Sequence, residues 1–157
     1  MIIIGIDPGT TITGYGVIES EKNGLEIIDY GCILTEPSLT TAERLKETDR
    51  QFVKLLNKHK PQKIAVEDIF FFKNAKTVIK VSQARGVILF RASKMLIPIF
   101  EYTPLQVKQA VTGYGRADKK QVQQMVKTIL NLEEIPQPDD AADALAIAIC
   151  CAHTNNF

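Results

Sequence analysis

The chain has no tryptophan, and histidine and cysteine are scarce, with two and three copies among 157 residues. Cys32, Cys150 and Cys151 are odd in number and two are neighbours, which excludes a disulfide framework, and their spacing fits no metal-ligand pattern. His59 and His153 stand alone in sequence and suit surface or helix-end positions. No Ser-His or Cys-His pairing suggests covalent catalysis. No apolar run reaches membrane-spanning length, so no membrane partner is expected. The start lacks the basic region and long apolar stretch of a secretory signal, and a cytoplasmic location is expected. A G-x-x-x-x-G-K-[ST] phosphate loop is missing as well, so no nucleotide cofactor is expected.

What is present is typical of a globular protein: 45% apolar and 24% charged residues. The length suits one domain over 1–157 with a real core. Net charge is only +1, but its distribution is uneven. From Phe70 to Leu130, eleven Lys and Arg stand against two acids, while the rest carries eight against sixteen. That asymmetry fits a surface for a polyanion, and equally a solvated pair of basic helices.

Periodicity gives an element order. "IIIGID", "TGYGVIE" and "LEIIDYGCILT" read as strands, the last two separated by the Asn-Gly turn of "SEKNG". Thr40 and Glu43 fit a capping box before a helix with an apolar stripe of Leu45, Phe52, Val53, Leu55 and Leu56 that stops before Pro61. "KIAVEDIF" and "PIFEYT" are further strands, with the long basic helix "AKTVIKVSQARGVILFRASKML" between them. Pro104 opens a short helix, Asp118 caps "DKKQVQQMVKTILNL", and "PDDAADALAIAICCAH" is a final helix starting near Pro138. The order implies an α/β fold with a five-stranded mixed sheet flanked by helices.

Three segments place acids where apolar packing gives out: Asp7 after "IIIGI", Glu67 after "KIAV", and Asp140 and Asp143 in the first turn of the last helix. Sites in α/β sheets form beyond the carboxyl ends of strands. If the first and fourth strands are adjacent and parallel, Asp7 and Glu67 lie side by side, and the last helix can aim its acids at them. Oxygen donors without His or Cys suit Mg²⁺ or Mn²⁺, and two such ions suit phosphoryl displacement. Each acid also has a plainer role. Asp7 suits an Asx-type turn before Pro8-Gly9, Glu67 suits a solvated strand end, and Asp139, Asp140 and Asp143 suit the positive end of the helix dipole.

"GIDPGTTITGYGVI", "AVEDIFFFKNAKTVIKVSQARGV", "FEYTPLQVKQAVTGYGRADKKQVQQMV" and "PDDAADALAIAI" together resemble the RuvC family of Holliday junction resolvases. The blocks occur in family order and spacing, from the first residues to about His153. The resemblance implies an RNase H-like fold and a homodimer. It implies Mg²⁺-dependent paired nicking of a four-way DNA junction in recombination and repair, leaving a 5′-phosphate and a 3′-hydroxyl. It also implies a branch-migration complex of RuvA and RuvB type as partner. Carried onto this chain, the catalytic and metal-holding acids are Asp7, Glu67, Asp140 and Asp143, around two Mg²⁺ ions with Mn²⁺ a substitute. Asp7 would bridge both ions, Glu67 would help hold one, and Asp140 with Asp143 the other. Asp139 is a neighbour that the motif does not require.

Lys108 and Lys119 match basic positions near the family's active site, where they would offset charge on the cleaved phosphate. Phe70 matches an aromatic that presses on bases at the crossover, a contact for which base stacking is a physical basis; core packing is its alternative. Lys73, Lys76, Lys80, Arg85, Arg116 and Lys120 are expected to grip DNA phosphates, each with a solvated surface role as the alternative. In "QARGVILFRASKML", Gly86, Val87, Leu89 and Phe90 are candidates for the dimer interface, or for packing on the sheet. Three other readings stand beside it: an ATPase sharing "GIDPGT", for which one 157-residue chain is too short, a DNA-binding module without catalysis, and a relative of the resolvase fold acting on RNA or other substrates, against which the order of all four blocks argues.

Overall fold

Alternation along a strand decides which face each side chain takes, and here it places the acids. The computed structural model describes residues 1–68 and 75–154, and the side chains of all of these except 75 and 76. Phe70, Lys73 and the side chain of Lys76 therefore lie outside the described residues. The elements are β1 (Ile2–Asp7), β2 (Ile12–Glu21), β3 (Gly24–Leu34), α1 (Thr41–His59), β4 (Lys63–Glu67), α2 (Ala75–Lys94), β5 (Ile99–Tyr102), α3 (Pro104–Thr112), α4 (Lys119–Ile129) and α5 (Asp139–Thr154).

The sheet order is β3-β2-β1-β4-β5. β1 pairs antiparallel with β2 and parallel with β4, and β4 pairs parallel with β5, so the sheet is mixed as expected. Each face carries its own core. Ile4 and Ile6 of β1, with Ile64 and Val66 of β4, pack beneath α1 and α2 together with Phe52, Leu56 and Ile88. The opposite face receives Ile3, Ala65 and Ile18, covered by α3, α4 and α5. Asp7 follows Ile3 and Gly5 at two-residue spacing, and Glu67 follows Ala65, so both acids belong to the α5 face.

α5 is buried along most of its length, from Ala141 to Ala152 except at Asp143. It lies directly on the sheet because three glycines clear its path. A Cβ on Gly5 would come within 2.1 Å of the Ala144 carbonyl oxygen, one on Gly14 within 2.0 Å of the Asp140 carbonyl oxygen, and one on Gly16 within 2.7 Å of the Leu145 side chain. On β1 and β2 these positions are in register: Gly5 faces Gly16, and Asp7 faces Gly14.

Helix starts follow the sequence signals. Thr40 and Glu43 form the capping box of α1, Thr103 and Gln106 that of α3 with Pro104 following the cap, and Asp118 and Gln121 that of α4. α3 ends on Gly113 in the left-handed conformation, φ 73°. α3 and α5 each run one residue past the sequence reading, and two helices stop short of it. α2 stops at Lys94 rather than Leu96, which turns left-handed at φ 57° ahead of Pro98. α4 stops at Ile129, three residues short. Among the described residues no helix is long and apolar enough to cross a membrane.

Candidate active site

Asp7 ends β1 and Glu67 ends β4, each one step beyond the paired Ile6 and Val66. Both point to the side from which α5 approaches, and Asp143 enters one turn inside that helix. Asp7, Glu67 and Asp143 line one cavity of about 260 Å³. Lys108 and Pro104 of α3 and Lys119 of α4 complete its polar and rigid walls, while Val107, Val122 and Ala146 form an apolar floor. The structure thus brings five of the six expected catalytic side chains into one cavity. Asp140 is half-buried and is not part of its wall. Its charge nevertheless acts on Asp7 and on Cys32 of β3, whose thiol is pushed up to about 11 by burial, then by Asp140 and Asp7.

The electrostatics are those of a nest short of positive charge. Burial pushes Asp7 up to about 8, with the charges of Glu67, Asp143 and Asp140 adding to it and Lys119 opposing. Glu67 is pushed up to about 7 by burial and by Asp143, with Lys108 opposing. Burial also raises Asp143, against the pull of Lys119. Lys119 is raised despite its own burial, because Asp143 and Asp139 favour its charged form. Its Nζ donates to Asp143 Oδ2 at 3.0 Å and lies 3.2 Å from Asp139 Oδ2.

Among the described residues, no three His, Cys, Asp or Glu side chains are drawn together as a finished metal site. The acids share a cavity but remain spread around it, as like charges do. Their chemistry still fits a hard divalent cation. They offer carboxylate oxygens only, and a cation relieves the repulsion that raises Asp7 and Glu67.

The basic residues divide. Lys80, Arg116 and Lys120 are exposed. Arg85 is engaged within the chain. It is 18% exposed, bridges Asp68 at 3.3 Å and Glu101, and its Nε donates to the carbonyl of Glu67 at 3.3 Å. A guanidinium so engaged braces the ends of β4 and β5. Leu89 likewise packs against the α1–α2 core, and the open side of α2 is marked by Ile79, Gly86 and Phe90.

Sequence reasoning passed over Gln123. It is buried one turn after Lys119 on α4, and its Nε2 donates to Asp139 Oδ1 at 3.0 Å. The signal was the four-residue spacing of Lys119 and Gln123, which puts both on one helix face. His59 is at a helix end as expected, yet it is buried, with Nε2 2.9 Å from Asp29 Oδ2.

Known proteins resemble the chain over nearly its whole length. The family model for crossover junction endodeoxyribonuclease RuvC matches residues 3–151. The protein of that name from Alkaliphilus oremlandii is 55% identical over 157 residues, covering 100% of this chain and 96% of the relative. Its counterpart from Halothermothrix orenii is 56% identical, covering 100% and 94%. The structure of Thermus thermophilus RuvC in complex with a Holliday junction substrate superposes with a TM-score of 0.92 at 36% identity, covering 98% of this chain and 93% of the other.

Proposed function

The chain belongs to the RuvC family of crossover junction endodeoxyribonucleases, and from that premise we propose that its acidic cavity cuts four-way DNA junctions by metal-dependent phosphodiester hydrolysis. One observation carries the reading: Asp7, Glu67 and Asp143, from three separate elements, share a cavity with Lys108 and Lys119. Asp7, Glu67, Asp143 and the adjacent Asp140 would hold two Mg²⁺ ions, with Mn²⁺ as a substitute. When bound, the ions supply a water activated for attack and charge stabilisation at the leaving 3′ oxygen.

The chain's own residues position and neutralise. Asp7 sits where its charge couples to every other acid of the nest, which suits a central ligand. Lys108, beside Glu67, and Lys119, beside Asp143, present ammonium groups to the space where a phosphodiester gathers negative charge. Val107, Val122 and Ala146 give the cavity its apolar floor. Rate then comes from placement and electrostatics, with no covalent intermediate on the polypeptide. Paired nicks leaving 5′-phosphate and 3′-hydroxyl ends follow from in-line attack by water at each of two sites.

Two sites require two copies. The whole chain acts as one nuclease domain, and a homodimer matches the approximate two-fold symmetry of a four-way junction. The open side of α2 supports that arrangement: Ile79 is 59% and Phe90 63% exposed, and among the described residues a Cβ added at Gly86 would meet nothing within 4 Å beyond its own helix backbone. Phe70, Lys73, Lys76, Lys80, Arg116 and Lys120 are proposed DNA contacts. Action in the cytoplasm beside a branch-migration complex of RuvA and RuvB type completes the reading.

The test is cleavage of a synthetic four-way junction with and without Mg²⁺, beside Asp7→Asn and Glu67→Gln. Symmetrical nicking that needs metal and is lost in both variants is expected. Cutting that persists in either variant rejects the site.

A further inference from the structure

Lys119 is held by two carboxylates, and only one of them lines the cavity. Its Nζ is 3.0 Å from Asp143 Oδ2 and 3.2 Å from Asp139 Oδ2. Asp139 is the first residue of α5, and Asp143 lies one turn further along the same helix. Lys119 is the first residue of α4. The two oxygens of Asp139 have separate tasks. Oδ2 faces the ammonium, while Oδ1 accepts from Gln123 Nε2 at 3.0 Å. Gln123 is 8% exposed and lies one turn into α4, so its amide is a fixed point to which the carboxylate is anchored. Gln123, Asp139 and Lys119 thus form a short relay across the α4–α5 contact.

We infer that Asp139 is a positioning residue that keeps the Lys119 ammonium at the cavity rim once Asp143 is committed to a divalent ion. The inference rests on the proposed nuclease reading. Asp143 cannot serve both partners equally, because a carboxylate that binds a divalent ion gives up much of its attraction for a lysine. Without Asp139, the flexible four-carbon stem of Lys119 would swing to solvent, and its charge would no longer face the phosphate. With Asp139 anchored by Gln123, the ammonium stays in place through the change. Asp139 touches neither substrate nor metal in this scheme and acts through Lys119.

Two readouts test it. The first needs no activity. In metal-free Asp143→Asn protein, labelling of Lys119 by an amine-reactive reagent, followed by mass spectrometry, is expected to stay slow. Adding Asp139→Ala should speed it several-fold. Equal labelling in the two proteins overturns the inference. The second is kinetic, under single-turnover conditions with saturating junction and Mg²⁺. Asp139→Ala should cut about tenfold more slowly with unchanged junction affinity, and Asp139→Glu should recover most of the rate. In a Lys119→Ala background, Asp139→Ala should cost nothing more. An additive loss in that background, or a wild-type rate in Asp139→Ala, overturns the inference. Wild type and Asp7→Asn run beside these. If wild type cuts, Asp7→Asn does not, and Asp139→Ala equals wild type, only the tether fails. If wild type does not cut, both readings fall.

Discussion

Gly14 lies under the carbonyl of Asp140 so closely that a methyl group there would sit 2.0 Å from the oxygen. Gly14 is also the β2 residue paired with Asp7. One missing side chain therefore sets how near the first turn of α5 comes to the acid that ends β1. Gly14→Ala meets backbone, which cannot swing aside, so α5 must lift at its start. A loss of about 3 kcal/mol or more is expected. Cutting should fall about 100-fold, since such rates are lost when reacting groups shift by roughly 1 Å. Thermal unfolding and junction cleavage of the variant check both, and wild-type cleavage would show that α5 need not sit this close.

Gly86 gives the opposite case. It lies within α2, and among the described residues nothing beyond its own helix backbone comes within 4 Å of an added Cβ. Alanine there gains about 1 kcal/mol of helix propensity in the single chain. If the open face of α2 meets a second copy, the same methyl intrudes on that contact. Gly86→Ala should melt a few degrees higher at dilute concentration, on the order expected for 1 kcal/mol in a chain of this size. In sedimentation it should self-associate more weakly than wild type. A variant that is more stable and dimerises unchanged would place the interface elsewhere.

The raised acids make metal-free stability depend on pH. Asp7 moves from 3.8 to about 8 and Glu67 from 4.5 to about 7. Between those values the folded chain binds more protons than the unfolded chain, so stability falls as pH rises. The melting temperature without divalent metal should therefore decline from pH 5 to pH 8. Asp7→Asn, which carries no charge, should flatten that decline and be more stable at pH 8 by on the order of a few kcal/mol, while losing cleavage. Mg²⁺ should restore much of the wild-type loss at pH 8, because binding to the folded state alone stabilises it. A wild-type melting temperature that rises across this range would contradict the burial and repulsion assigned to Asp7.

Much of this was legible in the sequence, and for local reasons. "IIIGID" and "KIAVE" alternate so that their last residues fall on one face. That fixed the relation of Asp7 to Glu67 once β1 and β4 were taken as adjacent and parallel. The capping pair Thr40 and Glu43 and the cap Asp118 marked helix starts through short-range chemistry. What stayed hidden depends on contacts between distant segments. The need for Gly5, Gly14 and Gly16 arises only where α5 lies over them. Gln123 and Asp139 meet only because α4 and α5 cross there. The ion pairs of Arg85 were hidden because its partners, Asp68 and Glu101, lie 17 residues before it and 16 after it on neighbouring strand ends.

That pairing yields a last prediction, which separates structural from DNA-binding cations. Arg85 braces Asp68, Glu101 and the Glu67 carbonyl and is 18% exposed, whereas Arg116 and Lys120 are exposed. Removing one partner of a half-buried pair leaves the others unmet, so Arg85→Gln should destabilise by about 1–3 kcal/mol. It should also slow cleavage, by loosening the strand end that carries Glu67. Its effect on the salt dependence of junction binding should be small, because no phosphate contact is lost. Arg116→Gln and Lys120→Gln should do the reverse. Their melting temperatures stay near wild type, while each reduces the slope of log affinity against log salt by about 1. Binding isotherms between about 50 and 200 mM salt make the comparison. A slope change in Arg85→Gln with unaltered stability would return Arg85 to the DNA surface and remove it from the support of Glu67.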